Sequence, residues 1–125
     1  MRRWARRLKA VVVRGDSMAP TLRDGDCVIV WRGVVRPGDV VVAVRPQRVE
    51  TGEEMLMVKR VAWREDGGWW LVSDNPAAPG AADSFHFGAV PDANICGRVV
   101  MRYFPFTRFT VRFSMPSGDD DRTIS

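Results

Sequence analysis

Apolar residues along this chain fall in short runs, separated by glycine, proline and acidic residues, which is the pattern of strands and turns. Residues 27–31 (CVIVW) and 39–44 (DVVVAV) are rich in β-branched side chains and apolar at successive positions, as expected of strands covered on both faces. Pro37-Gly38 marks the turn between them. Residues 45–54 are polar, carry Pro46 and Gly52, and read as a surface loop before a strand at 55–63 (MLMVKRVAW). Glu65-Asp66-Gly67-Gly68 then closes a hairpin onto 69–72 (WWLV). Residues 73–91, dense in Pro, Gly, Ala and Asp, predict an ordered loop packed through Phe85, Phe87 and Val90. A closing strand follows at 95–104, where Gly97 indicates a bulge or a close backbone approach, and 106–113 adds one more. These elements predict a mostly β fold: an open, coiled antiparallel sheet resembling a barrel.

At 125 residues the chain has length for one modest core, so residues 10–113 are assigned to a single β-rich domain between a basic tail (1–9) and a polar tail (114–125). The net charge of +4 is concentrated at the start, where residues 1–14 hold six Lys or Arg and no acid. Trp4 and Leu8 give that segment one narrow apolar side, leaving a solvated tail or a weak membrane-surface contact as its two readings. The apolar run nearest the N-terminus, 10–13, is far shorter than the roughly 20 residues of a membrane span or the 7 to 15 of a signal-peptide core. The expected location is the cytoplasm, with attachment at the membrane periphery as the alternative. Cys27 and Cys96 lie in apolar runs 69 positions apart, which fits buried free thiols rather than a disulfide or zinc framework.

Candidate chemistry centres on residues 13–30, VRGDSMAPTLRDGDCVIV. An apolar strand end leads into a turn at Gly15-Asp16, which delivers Ser17, and Pro20 fits the first turn of a short helix after it. Ser17 is either a helix cap or a nucleophile. Lys59 lies in an otherwise apolar run, with Met57, Val61 and Trp63 on its own side if strict alternation holds. It either snorkels to solvent or is desolvated, so that its neutral amine serves as a base near pH 7. His86 is the only histidine, which leaves no route to a multi-histidine metal site and argues against a histidine-based triad. No Gly-rich phosphate loop, HExxH or CxxC motif occurs, and no metal or cofactor is assigned.

The ordered boxes RGDSMAPTL, then MVKRV 42 residues after the serine, then SDNP, DSFHFGAVP and ICGRV, closely resemble the signal peptidase I-like family of Ser/Lys-dyad proteases, whose fold is shared with LexA-like repressors. The resemblance covers residues 12–104. It implies Ser17 as nucleophile, Lys59 as general base, the backbone N–H groups of Ser17 and Asp16 as the oxyanion site, and a short helical turn after the nucleophile. It further implies a supporting loop carrying Asp74, Asn75, Asp83 and Ser84. An extended substrate would add as a strand beside residues 11–13, with Val12, Val13 and Met18 as its contacts and small residues preferred before the cleaved bond. Three positions depart from the family pattern. Gly15 replaces a hydroxyl that often assists the oxyanion site, Phe85 replaces an arginine that pairs with the aspartate, and Ala81 aligns with a serine that orients the lysine.

Within the family, GGWWL at 67–71 and DNP at 74–76 are similar to short proteases that mature nickel-type superoxide dismutase. The expected function is therefore a serine endopeptidase that removes an N-terminal propeptide or signal-like peptide, with a nickel superoxide dismutase precursor as the expected partner. Nickel would belong to that substrate. A peripheral signal peptidase acting on exported preproteins and a catalytically weak peptide-binding module are the alternatives. Nucleic acid is not an expected partner.

Overall fold

The computed structural model describes residues 7–46 and 56–105. Seven strands form one antiparallel sheet: β1 (Leu8–Val12), β2 (Cys27–Trp31), β3 (Val40–Val44), β4 (Leu56–Glu65), β5 (Gly68–Val72), β6 (Val90–Pro91) and β7 (Ile95–Phe104). Their spatial order is β1-β2-β7-β3-β4-β5-β6, and the sheet curls into an open half-barrel, as the apolar runs predict. The one α-helix among the described residues, α1 (Ser84–Phe87), is a single turn, and a 3-10 turn spans Asp92–Asn94.

β3 carries valine on both faces because both faces are covered. Val40 and Val42 join Val28, Val30 and Val99 in one buried cluster, while Val41 and Ala43 join Val61, Leu71 and Val90 in another. The closing strand β7 runs between β2 and β3, and that crowding requires Gly97. A Cβ there would lie 2.7 Å from the Trp31 carbonyl oxygen, so the expected close approach is what the glycine serves. At the β4–β5 hairpin, Asp66 and Gly67 both have positive φ (53° and 75°), the left-handed pair that a two-residue turn needs.

Several local expectations are corrected. β1 starts at Leu8, so Leu8 and Lys9 belong to the sheet rather than to the basic tail. Residues 73–91 hold α1 and β6 in addition to loop. Strict alternation fails in β4, where a register shift between Val61 and Trp63 sets Trp63 opposite Trp70 and away from the buried Val61–Leu71 pair. Trp63 is accordingly exposed and stacks on Trp70 at 5.6 Å. The segment after Ser17 is a pair of hydrogen-bonded turns, one of them a single i→i+4 turn that does not continue into a helix. Ala19 N–H bonds Asp16 O (3.1 Å), Leu22 N–H bonds Met18 O (2.9 Å), and Pro20 between them has no N–H with which to extend a ladder. Cys96 is buried and Cys27 half-buried, and both are free thiols. Trp4, most of the 45–54 loop, the strand expected at 106–113 and the polar tail lie outside the described residues. Among the described residues no helix is long and apolar enough to cross a membrane.

Candidate active site

The Ser17 turn is held from below by its own apolar residues and from the sides by carboxylates. Met18 and Leu22 are 1% and 0% exposed, and burying each contributes about 1.5–3 kcal/mol that fastens the turn to the sheet. Gly15 N–H donates to Asp24 Oδ1 (2.8 Å), and Asp24 N–H donates to Asp16 Oδ1 (3.2 Å). The buried Asp26 accepts from Arg23 N–H (2.9 Å) and from Arg102 Nη1 (3.1 Å), and Arg102 also bonds the Thr21 carbonyl. The tripeptide Arg14-Gly15-Asp16 is thus part of a closed loop, with each acid occupied in shaping it.

A second loop clamps the first. Asn75 donates its backbone N–H to the Ser17 carbonyl (2.8 Å) and its side-chain amide to the Asp16 carbonyl (3.1 Å). Asp74 accepts from Thr21 Oγ1 (2.7 Å) and is forked by Arg60, with Nε at 3.2 Å and Nη2 at 2.7 Å. Arg60 also reaches the Gly38 carbonyl at 2.9 Å, so one guanidinium joins the β2–β3 connection, the Asp74 loop and the serine turn. Planar, five-donor chemistry suits this role, which an ammonium group would fill poorly.

Lys59 is the neighbour of Arg60 on β4 and points to the opposite side of the strand. It is 3% exposed and does not snorkel. Its Nζ lies 3.2 Å from Ser17 Oγ and 2.9 Å from Ser73 Oγ. The Lys59 pKa is lowered, chiefly because burial penalises the charged form; the charge of Arg45 adds to this and that of Asp83 opposes it. The site therefore makes the neutral amine easier to reach than it is for an exposed lysine.

Ser73 is the residue beside the dyad that the sequence did not single out. Its hydroxyl donates to the Ala81 carbonyl (3.1 Å), and its N–H donates to Asp83 Oδ2 (3.0 Å). With its one hydroxyl hydrogen committed to Ala81, Ser73 meets Lys59 as an acceptor. The hydroxyl beside the lysine thus comes from the start of the loop, and position 81 contributes its carbonyl oxygen in place of a side chain. The only signal in the sequence was a serine directly before Asp74-Asn75.

The remaining predicted residues separate into those at the cleft and those behind it. Ser17, Lys59, Val13 and Met18 line one cleft of about 120 Å³, together with Val58 and Arg45. Val12 does not line the cleft; it is 44% exposed on β1, an edge of the described sheet. Asp83 supports from behind, capping α1 through Phe85 N–H (3.1 Å), while His86 Nδ1 accepts the Asp83 N–H (3.2 Å). Ser84 Oγ accepts Leu71 N–H (2.8 Å), which fixes the same loop to β5. Phe85, where an arginine was expected to pair with the aspartate, is 70% exposed and meets Trp70 edge-on at 5.4 Å.

A model of the Peptidase S24-like family matches residues 3–100. The chain belongs to that family. Among curated proteins it is similar to mitochondrial inner membrane protease subunit 1 of Xenopus tropicalis, at 29% identity across 88% of this chain and 77% of the relative. The Mus musculus protein of the same name is 27% identical across 86% of this chain and 76% of the relative. This peptidase is thus a protease of the signal-peptidase type acting on protein substrates, in line with the resemblance of the ordered boxes.

Proposed function

We propose that this peptidase is a serine endopeptidase in which Ser17 is the nucleophile and Lys59 the general base, and that it removes an N-terminal extension from a protein substrate. The observation that carries the proposal is the buried Lys59 amine, its pKa lowered by burial, 3.2 Å from Ser17 Oγ. Lys59 takes the Ser17 proton as Oγ attacks the peptide carbonyl, and the resulting ammonium returns the proton to the leaving amine. In the second half, neutral Lys59 activates water against the acyl-serine. Ser73 keeps the amine aimed through both halves.

Backbone geometry supports the oxyanion assignment. Asp16 O faces Asn75 and Ala19, and across a trans peptide the Ser17 N–H points away from both. Asp16 N–H is the second proposed donor. For the substrate strand, Val13 has already committed its N–H to Asp26 O and its carbonyl to Gly25 N–H, each at 2.8 Å. Alternation along an edge strand then turns the polar groups of Val12 outward, so Val12 is the proposed main-chain docking point, while Val13 and Met18 contribute wall.

Among substrates, a nickel superoxide dismutase precursor processed in the cytoplasm is the reading proposed on the GGWWL and DNP segments. A peripheral membrane signal peptidase, with contact through the basic N-terminus, is the second reading, favoured by relatives whose name places them at an inner membrane. The Ser73–Lys59 contact weighs against the inactive-module reading, because it restores the hydroxyl missing at Ala81. Incubation with a nickel superoxide dismutase precursor and with an exported preprotein, followed by intact mass, tests these readings. Cleavage of the first is expected. Cleavage of only the second reverses the substrate assignment, and cleavage of neither overturns the endopeptidase reading.

A further inference from the structure

The two faces of the β4–β5 ribbon carry the same pair of groups, and on one face the chain itself supplies the cation that the pair binds. There Arg64 stands opposite Trp69, with its guanidinium 4.6 Å from the centre of the indole ring and forked onto Asp92 at 2.8 Å. Trp69 also hydrogen-bonds Asp92, so an indole and a carboxylate joined to each other together hold one guanidinium. On the other face Trp63 stands opposite Trp70, and Trp63 Nε1 donates to Glu65 Oε1 at 2.6 Å. That is again an indole joined to a carboxylate. Among the described residues no basic group pairs with Glu65 or lies over the Trp63 ring, and Arg64, between the two in sequence, is committed to the opposite face.

We infer that Trp63 and Glu65 form an exosite that receives an arginine or lysine side chain of the substrate, a few residues from the scissile bond. The inference rests on the endopeptidase reading of the Ser17–Lys59 cleft and deepens it. Trp63 stacks on Trp70 at 5.6 Å with the ring planes 6° apart, and Phe85 meets Trp70 edge-on, so the exposed indole is braced from behind and presents its outer face. An indole face attracts a cation, and Glu65 supplies the opposite charge at the edge of the ring. Reach agrees. Lys59 and Trp63 are four residues apart on β4, about 13 Å at the usual strand rise, which an extended peptide leaving the cleft covers in about four residues. Phe85, at the other end of the three rings, follows three positions after Ala82, which lines the cleft. An aliphatic side chain would cover the ring but leave the carboxylate without a counter-charge, so the chemistry favours a basic residue over an apolar one.

The test uses dodecapeptides of Ala, Val and Leu carrying a single Arg, its uncharged isostere citrulline, or norleucine, scanned position by position, with the cut located by mass. For the unsubstituted enzyme, kcat/KM is expected to favour Arg over both others by about 3- to 20-fold, mainly through KM, at one or two positions about three to six residues from the cut. The ratio falls toward one in Trp63→Leu, which keeps an apolar surface but removes the indole. It falls in part in Glu65→Gln, which keeps an acceptor for the indole N–H, and it shrinks as salt is raised. A ratio near one at every position, or one that both variants leave unchanged, overturns the inference. Norleucine cut as well as Arg at the preferred position marks an apolar anchor and overturns it too. If no peptide is cut, fluorescently labelled forms of the same peptides are titrated onto the Ser17→Ala protein and followed by anisotropy. Tighter binding of Arg than of citrulline peptides, lost when Trp63→Leu is added, then upholds the basic-residue site while the endopeptidase reading fails. Equal or absent binding overturns that site as well.

Discussion

β4 carries an arginine near each end of its described pairing with β5, and each forks onto an aspartate with closely similar geometry. Arg60 meets Asp74 at 3.2 and 2.7 Å, and Arg64 meets Asp92 at 2.8 Å through both nitrogens. The side chains of the first pair are 9% and 15% exposed, those of the second 50% and 55%. Hydrogen-bond distance therefore does not separate them, but solvent does. In the exposed pair, each hydrogen-bonded partner favours the charged form of the other, raising the Arg64 pKa and lowering that of Asp92, yet water screens the attraction and the gain in stability is slight. In the buried pair, either charge left alone would have little water to turn to. The chain places that vulnerable pair directly behind the dyad, where Arg60 and Asp74 tie the serine turn to the strand that bears Lys59.

The comparison breaks most severely at the dyad itself. Ser17→Ala and Lys59→Ala are each expected to lower kcat/KM by about 10⁴-fold or more while the cooperative unfolding transition persists, measured by peptide cleavage and thermal melting. In the parent enzyme, activity should rise with pH through the lowered Lys59 pKa, because the neutral amine is the base. A profile flat from about pH 5 to 9 would contradict a lysine base. Stability follows the same sign: between the lowered folded value and the unfolded one, near 10.4, the unfolded chain binds more protons, so stability rises with pH across that window.

Next in size is Asp74→Ala, which takes from the buried Arg60 its carboxylate partner and leaves it the Gly38 carbonyl, and should cost about 3 kcal/mol in denaturant unfolding. Ser73→Ala leaves the dyad present but the amine unaimed; kcat is expected to fall by about 10- to 100-fold with little change in KM and a displaced pH profile. A change in stability alone, with kcat intact, would make Ser73 merely a loop residue. The smallest effect belongs to the exposed end, where Asp92→Asn should leave the unfolding midpoint within error of the parent. A loss there as large as that of Asp74→Ala would refute burial as the deciding variable.

Much of this molecule is written in short-range pattern, where cause and effect lie within a few residues. β-branched runs mark β2 and β3, Asp66-Gly67 supplies the left-handed turn between β4 and β5, and β3 is apolar at every position because both faces are covered. Ser17 and Lys59 were also visible, as a serine on a turn and a lysine in an apolar strand, although neither choice between alternatives could be made locally. Closing 42 residues of chain to bring Oγ within 3.2 Å of Nζ, and burying that amine, is the work of the curled sheet. The same holds for Ser73, whose importance comes from meeting Lys59 on one side and Ala81 on the other, and for Trp63, turned outward by a shift of register that alternation does not foresee. Local sequence decides backbone preference and which residues seek burial. Which polar groups then face one another, and whether water lies between them, depends on contacts between strands far apart in sequence, and here those contacts make a lysine a candidate base and one of two similar arginines a strut for the site.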